Sequence, residues 1–321
     1  MADSRLVRPP PSADALQRLR DRLAPGSQIR RLRRLRGGLG SAMHAVDLED
    51  ARGARQRLAI RGYFPKRVAE DPELPARAWQ TLGLLARLQL NAPRPVLFDG
   101  DGTLFGSPTL VMTRLPGRGR LRPHDLAAWT GQLAAGLAAI HRAALTGLDS
   151  GFLRGPGHAV ETSFARIARS RARLETHPDG VATIQLLEQW RPRIRRVVPA
   201  LAHGDYWAGN TLWLRNRLTA VVDWDDASID PPGFDVGYCR MDLAMLAGSE
   251  APDLFLQAYE AAAGRRIPQL FFWDLLAAVR AMPEPERWLP GYHDLGRAEI
   301  TPHQMRERLH AFIVGATARG Q

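Results

Sequence analysis

Apolar and polar positions alternate over much of the first third of the chain, and helical spacing takes over afterwards. Residues 13–24 carry the spacing of a short helix, after a proline-closed start (Pro9-Pro10-Pro11) expected to be unstructured. Strands are predicted over 29–36, 43–48 and 56–61. A helix fits 75–90, opened by Pro75 at a first-turn position. Pro93 and Pro95 break it ahead of a strand over 96–98, and another apolar strand covers 109–113. Leu115-Pro116-Gly117-Arg118-Gly119 reads as a turn-rich boundary. Beyond it, helices are predicted over 126–142, 160–174, 182–196, 235–247, 252–263, 269–281 and 302–317. Two short strands, 211–214 and 219–223, joined at Arg215-Asn216-Arg217, suit a hairpin. The expected organisation is a tail and short helix over 1–27, a β-rich lobe over 28–117 and a mainly helical lobe over 118–321.

Composition narrows the class. A chain of 321 residues can bury a real core, and no apolar run approaches the roughly 20 residues of a membrane span. The first residues lack the apolar segment of a signal peptide, so none is expected. Cys239 is the single cysteine, which excludes an intrachain disulfide and a multi-cysteine zinc site. A reducing cytoplasm is therefore the expected compartment. The formal net charge is +11, concentrated early: residues 1–40 hold ten Arg against three Asp, and residues 230–321 hold nine Arg against twelve acidic residues. Such a balance invites a nucleic-acid partner, but no RNP-like run, zinc-finger spacing or basic-aromatic interleaving supports one, and neither a nucleic-acid nor a membrane partner is expected. Nearly all the positive charge is Arg; the only lysine is Lys66.

The chemistry concentrates in LAHGDYWAGNTLW, residues 201–213. Asp205 precedes the predicted hairpin and Asp223 closes it, with Asn210 just before its first strand, so the hairpin can bring two carboxylates and an amide to one side. Oxygen ligands of this kind suit Mg²⁺ rather than a soft metal. A carboxylate left off the metal could meet a hydroxyl nucleophile, which with metal-neutralised phosphate charge is the set of parts that phosphoryl transfer needs. His203, Asp205 and Asn210 have the spacing H-x-D-x-x-x-x-N, followed by Asp223 at a strand end. The bland reading makes His203 and Asn210 turn residues and Asp205 a helix cap.

With VVDWDDASIDPPGFDVG downstream, HGDYWAGNTLW resembles the aminoglycoside phosphotransferase and choline kinase-like group of small-molecule kinases. The resemblance runs from about residue 28 to 279 and is strongest over 201–237. It implies an α+β, protein kinase-like two-lobe fold, with a small β-rich N-terminal lobe and a larger, mainly α-helical C-terminal lobe. It implies transfer of the terminal phosphate of ATP or GTP, with Mg²⁺, to a hydroxyl of a small molecule. By that resemblance Asp205 is the catalytic base or orienting carboxylate, Asn210 and Asp223 hold Mg²⁺ and nucleotide, His203 braces the catalytic loop and Asp235 ties it down. The bland reading of Asp235 is a plain N-cap of the helix 235–247, and as both roles can coexist it is taken as structural.

For the nucleotide, Gly37-Gly38-Leu39-Gly40-Ser41 offers bare backbone N–H groups, with Gly38, Gly40 and Ser41 as candidate contacts. Arg61 falls at the position of the phosphate-pairing cation, where a guanidinium can fork onto two oxygens; the bland alternative is a solvated strand end. Met112, within Leu110-Val111-Met112-Thr113-Arg114-Leu115-Pro116-Gly117, resembles the hinge whose backbone meets the base. The chain departs from the pattern at Ala78, where a Glu that would hold the cation is expected, with Glu70 and Glu73 nearby. That departure keeps open a nucleotide-binding regulator, or pseudokinase, that transfers no phosphate. His141 matches a family pattern and is read as a packed structural residue. The acceptor is expected over the C-terminal lobe, where acidic residues and Trp207, Phe271, Phe272, Trp273, Trp288 and Tyr292 would suit a cationic amine or amino sugar. Core packing for the aromatics and a solvated face for Asp274, Glu284, Glu286 and Asp294 is the stronger alternative.

Overall fold

The computed structural model describes residues 10–35 and 41–320. The chain divides into two compact units, 1–115 and 116–321.

The first unit is built on an antiparallel sheet. Ser12 caps α1 (Ala13–Leu23) by accepting the Ala15 N–H at 3.1 Å. There follow β1 (Gln28–Arg34), β2 (Ser41–Glu49), β3 (Arg55–Tyr63), α2 (Pro65–Glu70), α3 (Leu74–Arg87), β4 (Pro95–Asp99) and β5 (Thr109–Thr113). The strand order is β1-β2-β3-β5-β4. Leu58 and Ile60 of β3, Val46 and Leu48 of β2, and Val111 of β5 form a core with Leu16 and Leu19 of α1. Alternation along the strands puts these residues on one face, where α1 supplies the cover. Helix α2 was not anticipated. Pro65 opens it at the first position, where the missing N–H costs nothing.

The second unit holds the longer helices and two small antiparallel pairs. In chain order it comprises α4 (Leu126–His141), α5 (His158–Leu174), α6 (Gly180–Trp190), β6 (Ala200–Ala202), β7 (Thr211–Leu214), β8 (Arg217–Val221), β9 (Ser228–Asp230) and α7 (Gly233–Ala247). Then come α8 (Ala251–Ala263), α9 (Leu270–Ala281), α10 (Leu289–Asp294) and α11 (Pro302–Gly320). Asp125 caps α4 by accepting the Ala128 N–H at 2.9 Å. Helix α6 stops at Trp190, short of the expected 196, and the chain turns through a 3₁₀ segment containing Pro192. The β7–β8 hairpin has a two-residue turn, because Leu214 pairs with Arg217. Arg215 and Asn216 both take positive φ, the backbone twist that tight hairpins require.

The pair β6–β9 matters most for the site. Ala200, Leu201 and Ala202 pair with Asp230, Ile229 and Ser228, so these two strands bracket the segment between residues 203 and 227. The bracketed segment contains the hairpin and every candidate catalytic residue except Asp235, which α7 supplies just after β9. No helix among the described residues is long and apolar enough to cross a membrane.

Candidate active site

The chain leaves β6 at Ala202 and turns sharply through His203, Gly204 and Asp205. Gly204 takes φ +81°, and a side chain there would sit 2.2 Å from the Asp226 carbonyl oxygen, so both conformation and space demand glycine. Three buried groups fasten the turn. Asp235 accepts the N–H of His203 at 2.7 Å on one oxygen and that of Gly204 at 2.8 Å on the other. It also meets His141 Nε2 at 3.2 Å, while His141 Nδ1 lies 2.7 Å from the Tyr259 hydroxyl. Burial alone would raise the Asp235 pKa, but the His141 hydrogen bond, the neighbouring histidines and the His203 N–H outweigh it and hold it below the usual carboxylate value. Asp235 lies within the first turn of α7 and directs its carboxylate onto the loop, so the N-cap alternative is replaced by the tie.

His203 braces the loop through both ring nitrogens. The Val222 carbonyl can only accept, so Nε2 donates to it at 3.0 Å, which leaves Nδ1 to accept the Asp205 N–H at 3.2 Å. The ring packs against Trp224, with centroids 4.6 Å apart. His203 thereby joins the start of the loop to the segment carrying Asp223.

Asn210 closes the other side. Its Nδ2 donates at 2.9 Å both to the Asp205 carboxylate and to the Asp205 carbonyl. The amide oxygen is thus the end left for a cation. The Asn210 carbonyl accepts the Val222 N–H at 2.8 Å, placing Asp223 one residue further on. Asp223 lies beyond the end of β8 rather than closing it, with φ +67°, a left-handed conformation that Asp tolerates better than most residues. Its charge is felt by Asp205. The structure therefore brings Asp205, Asn210 and Asp223 into one neighbourhood. Among the described residues no group of three His, Cys, Asp or Glu side chains is placed to hold a metal. The available set is two oxygen donors, Asn210 and Asp223, a sparse set that suits Mg²⁺ completing its shell with water and phosphate.

Two further residues contact Asp205, and the sequence reading missed both. Arg280 of α9 places a guanidinium nitrogen 3.6 Å from the carboxylate and donates to the Gly204 carbonyl at 3.0 Å. Tyr238 of α7 hydrogen-bonds the same carboxylate through its hydroxyl and lies under the Arg280 guanidinium at 4.1 Å. Burial raises the Asp205 pKa, although Arg280 and the Tyr238 hydroxyl pull it back. The carboxylate side chain remains 26% exposed. The one signal available in sequence was Arg280 itself, the lone charge in the apolar run LLAAVRAM.

In the first unit, Arg61 is buried in β3, donates to Ser41 Oγ at 3.0 Å and lies 5.4 Å over the Tyr63 ring. This is a held cation, not a solvated strand end. Ala78 is buried on α3 and offers no carboxylate. Lys66 belongs to α2, outside the sheet. Met112 is buried within the sheet, flanked by Ala59 and Pro95, and the next two N–H groups are spent on Arg94 and Arg57. Gly38 and Gly40 lie outside the described residues.

Most of the aromatic residues expected near the acceptor settle as core, whereas Trp207 and Trp288 are only half-buried. Phe272, Trp273 and Tyr292 are buried, and Phe271 packs on Trp190. Asp274 is fully buried between Arg240 and Arg319, which corrects its assignment to a solvated face. Glu284 pairs with Arg173 and Glu286 with Arg306.

A sheet-based first unit, a mainly helical second unit and a loop holding Asp, Asn and Asp together define a kinase-like protein. Residues 31–278 match the model of the phosphotransferase enzyme family, and the chain belongs to that family. A homoserine kinase of Azorhizobium caulinodans is 30% identical over 214 residues, 59% of this chain and 63% of that enzyme. A homoserine kinase of Mesorhizobium japonicum is 30% identical over 165 residues, 49% of this chain and 50% of the other. The matches thus span less than two thirds of the curated relatives' length. Among solved structures, the GDP and kanamycin complex of APH(2″)-IIIa superposes with TM-score 0.60 at 17% identity, covering 95% of this chain and 98% of that one. The macrolide 2′-phosphotransferase of Brachybacterium faecium superposes with TM-score 0.58 at 21% identity, covering 95% and 96%. At such identities these likenesses show the kinase-like fold.

Proposed function

We propose that the chain transfers the terminal phosphate of ATP or GTP to a hydroxyl group of a small molecule. The observation that carries this reading is Asp205, fixed by the Asn210 amide at 2.9 Å with Asp223 reached through the Asn210–Val222 hydrogen bond. Asp205 would accept a hydrogen bond from the acceptor hydroxyl, orient it toward the phosphate and take its proton as the bond forms. Arg280 and Tyr238 keep that carboxylate in place. Asn210 and Asp223 would hold Mg²⁺, whose charge offsets that of the phosphates when bound. The relatives named for GDP complexes and for homoserine phosphorylation support nucleotide and small-hydroxyl chemistry here. In the first unit, Ser41 and Arg61 are the proposed phosphate contacts. Positioning and charge neutralisation would supply most of the acceleration.

Ala78 favours a second reading, a nucleotide-binding regulator without transfer. Against it, Arg61 is already held by Ser41 and Tyr63. A screen of hydroxylated metabolites and antibiotics with radiolabelled ATP and Mg²⁺ separates the two. Label appearing in an acceptor establishes the kinase; nucleotide binding with no transfer to any acceptor establishes the regulator.

A further inference from the structure

Asp205 divides its two carboxylate oxygens between different partners. Oδ2 accepts the Asn210 amide at 2.9 Å. Oδ1 faces Nη2 of Arg280 at 3.6 Å, beyond the roughly 2.7–2.9 Å of a charge-assisted hydrogen bond. The oxygen that Asn210 does not occupy therefore looks onto a donor that does not reach it.

Both atoms are held where they stand. Arg280 sits in the last turn of α9, and its Nη1 donates to the Gly204 carbonyl at 3.0 Å. Its guanidinium lies 4.1 Å from the centre of the Tyr238 ring and 6.0 Å from that of Phe234. Among the described residues its Nη2 has no hydrogen-bond partner. Asp205 is fixed through Asn210, and its backbone N–H is spent on His203 Nδ1 at 3.2 Å. Both side chains keep partial exposure, 22% for Arg280 and 26% for Asp205.

A fixed donor and a fixed acceptor, separated by somewhat more than one hydrogen bond, match a group that can do both. A hydroxyl is such a group, because its O–H donates while its lone pairs accept. A polar pair this far apart is commonly joined through one intervening oxygen. A carbonyl or ether oxygen could only accept there, and an ammonium could only donate. Asp223 and Asp226 bear on the same carboxylate, so the cation facing Oδ1 also offsets their repulsion.

We propose that Arg280 is a second contact of the reacting oxygen: the acceptor hydroxyl donates to Asp205 Oδ1 and accepts from Arg280 Nη2. This assignment rests on the phosphotransferase reading and names the residue that selects and orients the hydroxyl. In transfer, the hydroxyl oxygen bonds to the terminal phosphorus and its proton passes to Asp205 Oδ1. The bond from that phosphorus to the bridging oxygen breaks, and its electron pair leaves on the nucleoside diphosphate. Arg280 fixes which lone pair points at phosphorus, an orientation already set by the stack on Tyr238.

The test follows transfer from radiolabelled ATP, with Mg²⁺ and the full chain, to homoserine, kanamycin and water, the last read as phosphate release. Arg280→Lys and Arg280→Ala are compared with wild type on whichever probe takes label. Lysine keeps a cationic head that can hold the Gly204 carbonyl, but it lacks the fork that serves two oxygens at once. Arg280→Lys should therefore keep the wild-type urea midpoint and nucleotide affinity. Its kcat/KM (for water, its release rate) should fall roughly 10- to 100-fold, the worth of a charge-assisted hydrogen bond. Arg280→Ala should lose at least as much, and regain transfer with added guanidinium but not with methylammonium. Wild-type kcat/KM in the lysine variant, or an alanine variant whose response does not favour guanidinium, overturns the contact while leaving the kinase intact. No label on any probe and no phosphate release from nucleotide-bound wild type overturns the phosphotransferase reading itself.

Discussion

The Asp235 carboxylate accepts the backbone N–H of His203 at 2.7 Å, although the two residues are 32 positions apart. Its second oxygen takes the Gly204 N–H, and His141 stands behind it. One buried side chain at the start of α7 thus sets where the loop leaves β6. Asp235→Ala would strand two backbone donors and the His141 ring, at about 1–3 kcal/mol for each buried donor. We expect a stability loss of roughly 3 kcal/mol or more by urea denaturation, with a smaller loss for Asp235→Asn, which retains one acceptor oxygen. Equal midpoints for wild type and Asp235→Ala would contradict the tie.

A different buried charge fastens the helices. Asp274 accepts from Arg240 Nε at 2.9 Å and Nη2 at 3.1 Å, and from Arg319 at 2.9 Å, joining α7, α9 and α11. Asp274→Ala leaves Arg240 buried without its main partner and should cost about 3–5 kcal/mol. Glu284→Ala, which breaks an exposed pair with Arg173, should stay within about 0.5 kcal/mol. The same denaturation experiment compares them, and similar losses would refute the distinction.

Much of this architecture was legible in advance. The strands of the first unit and helices α4, α7, α8 and α9 follow apolar periodicity to within a few residues, and the spacing of His203, Asp205, Asn210 and Asp223 marked the loop. The pair β6–β9 was missed because three-residue strands carry too little alternation to register. Arg280 and Tyr238 were missed for another reason. Nothing local to the loop points to them, and the Arg280–Gly204 hydrogen bond spans 76 residues. The acidic residues near the C-terminus suggested a cation-binding face because sequence shows charges but not their partners; Asp274, Glu284 and Glu286 each turn out to face an arginine.

Asp242 supplies a pH signature. Its carboxyl is fully enclosed, accepts the Tyr292 hydroxyl at 2.5 Å on one oxygen, and has no hydrogen-bond partner on the other among the described residues. Burial raises its pKa to about 7, aided by the nearby Asp205 charge and only partly offset by Tyr292 and the Ala208 N–H. Between the unfolded value near 4 and that raised value, the folded chain keeps a proton that the unfolded chain has lost. Stability therefore falls as pH rises through this window and levels off above it. Asp242→Asn removes the titration, so its stability relative to wild type should improve by about 1 kcal/mol between roughly pH 6 and pH 8. Parallel stability–pH curves for the two proteins would rule this out.

Gly204 offers a test of loop geometry. Its φ of +81° and the 2.2 Å approach to the Asp226 carbonyl leave no room for a side chain. Gly204→Ala should cost roughly 1–3 kcal/mol through strain and depress turnover by displacing Asp205. Wild-type turnover and stability together would show the loop to be more adaptable than this geometry allows.

The most direct measurement of the central claim is single-turnover phosphate transfer by Asp205→Asn, alongside nucleotide affinity by calorimetry. Asn preserves the size of the side chain and an oxygen for Asn210 to reach, but cannot take the acceptor's proton. Transfer slowed about 10²–10⁴-fold with nucleotide affinity unchanged is the predicted result; transfer at the wild-type rate would remove Asp205 from the chemistry and contradict the account.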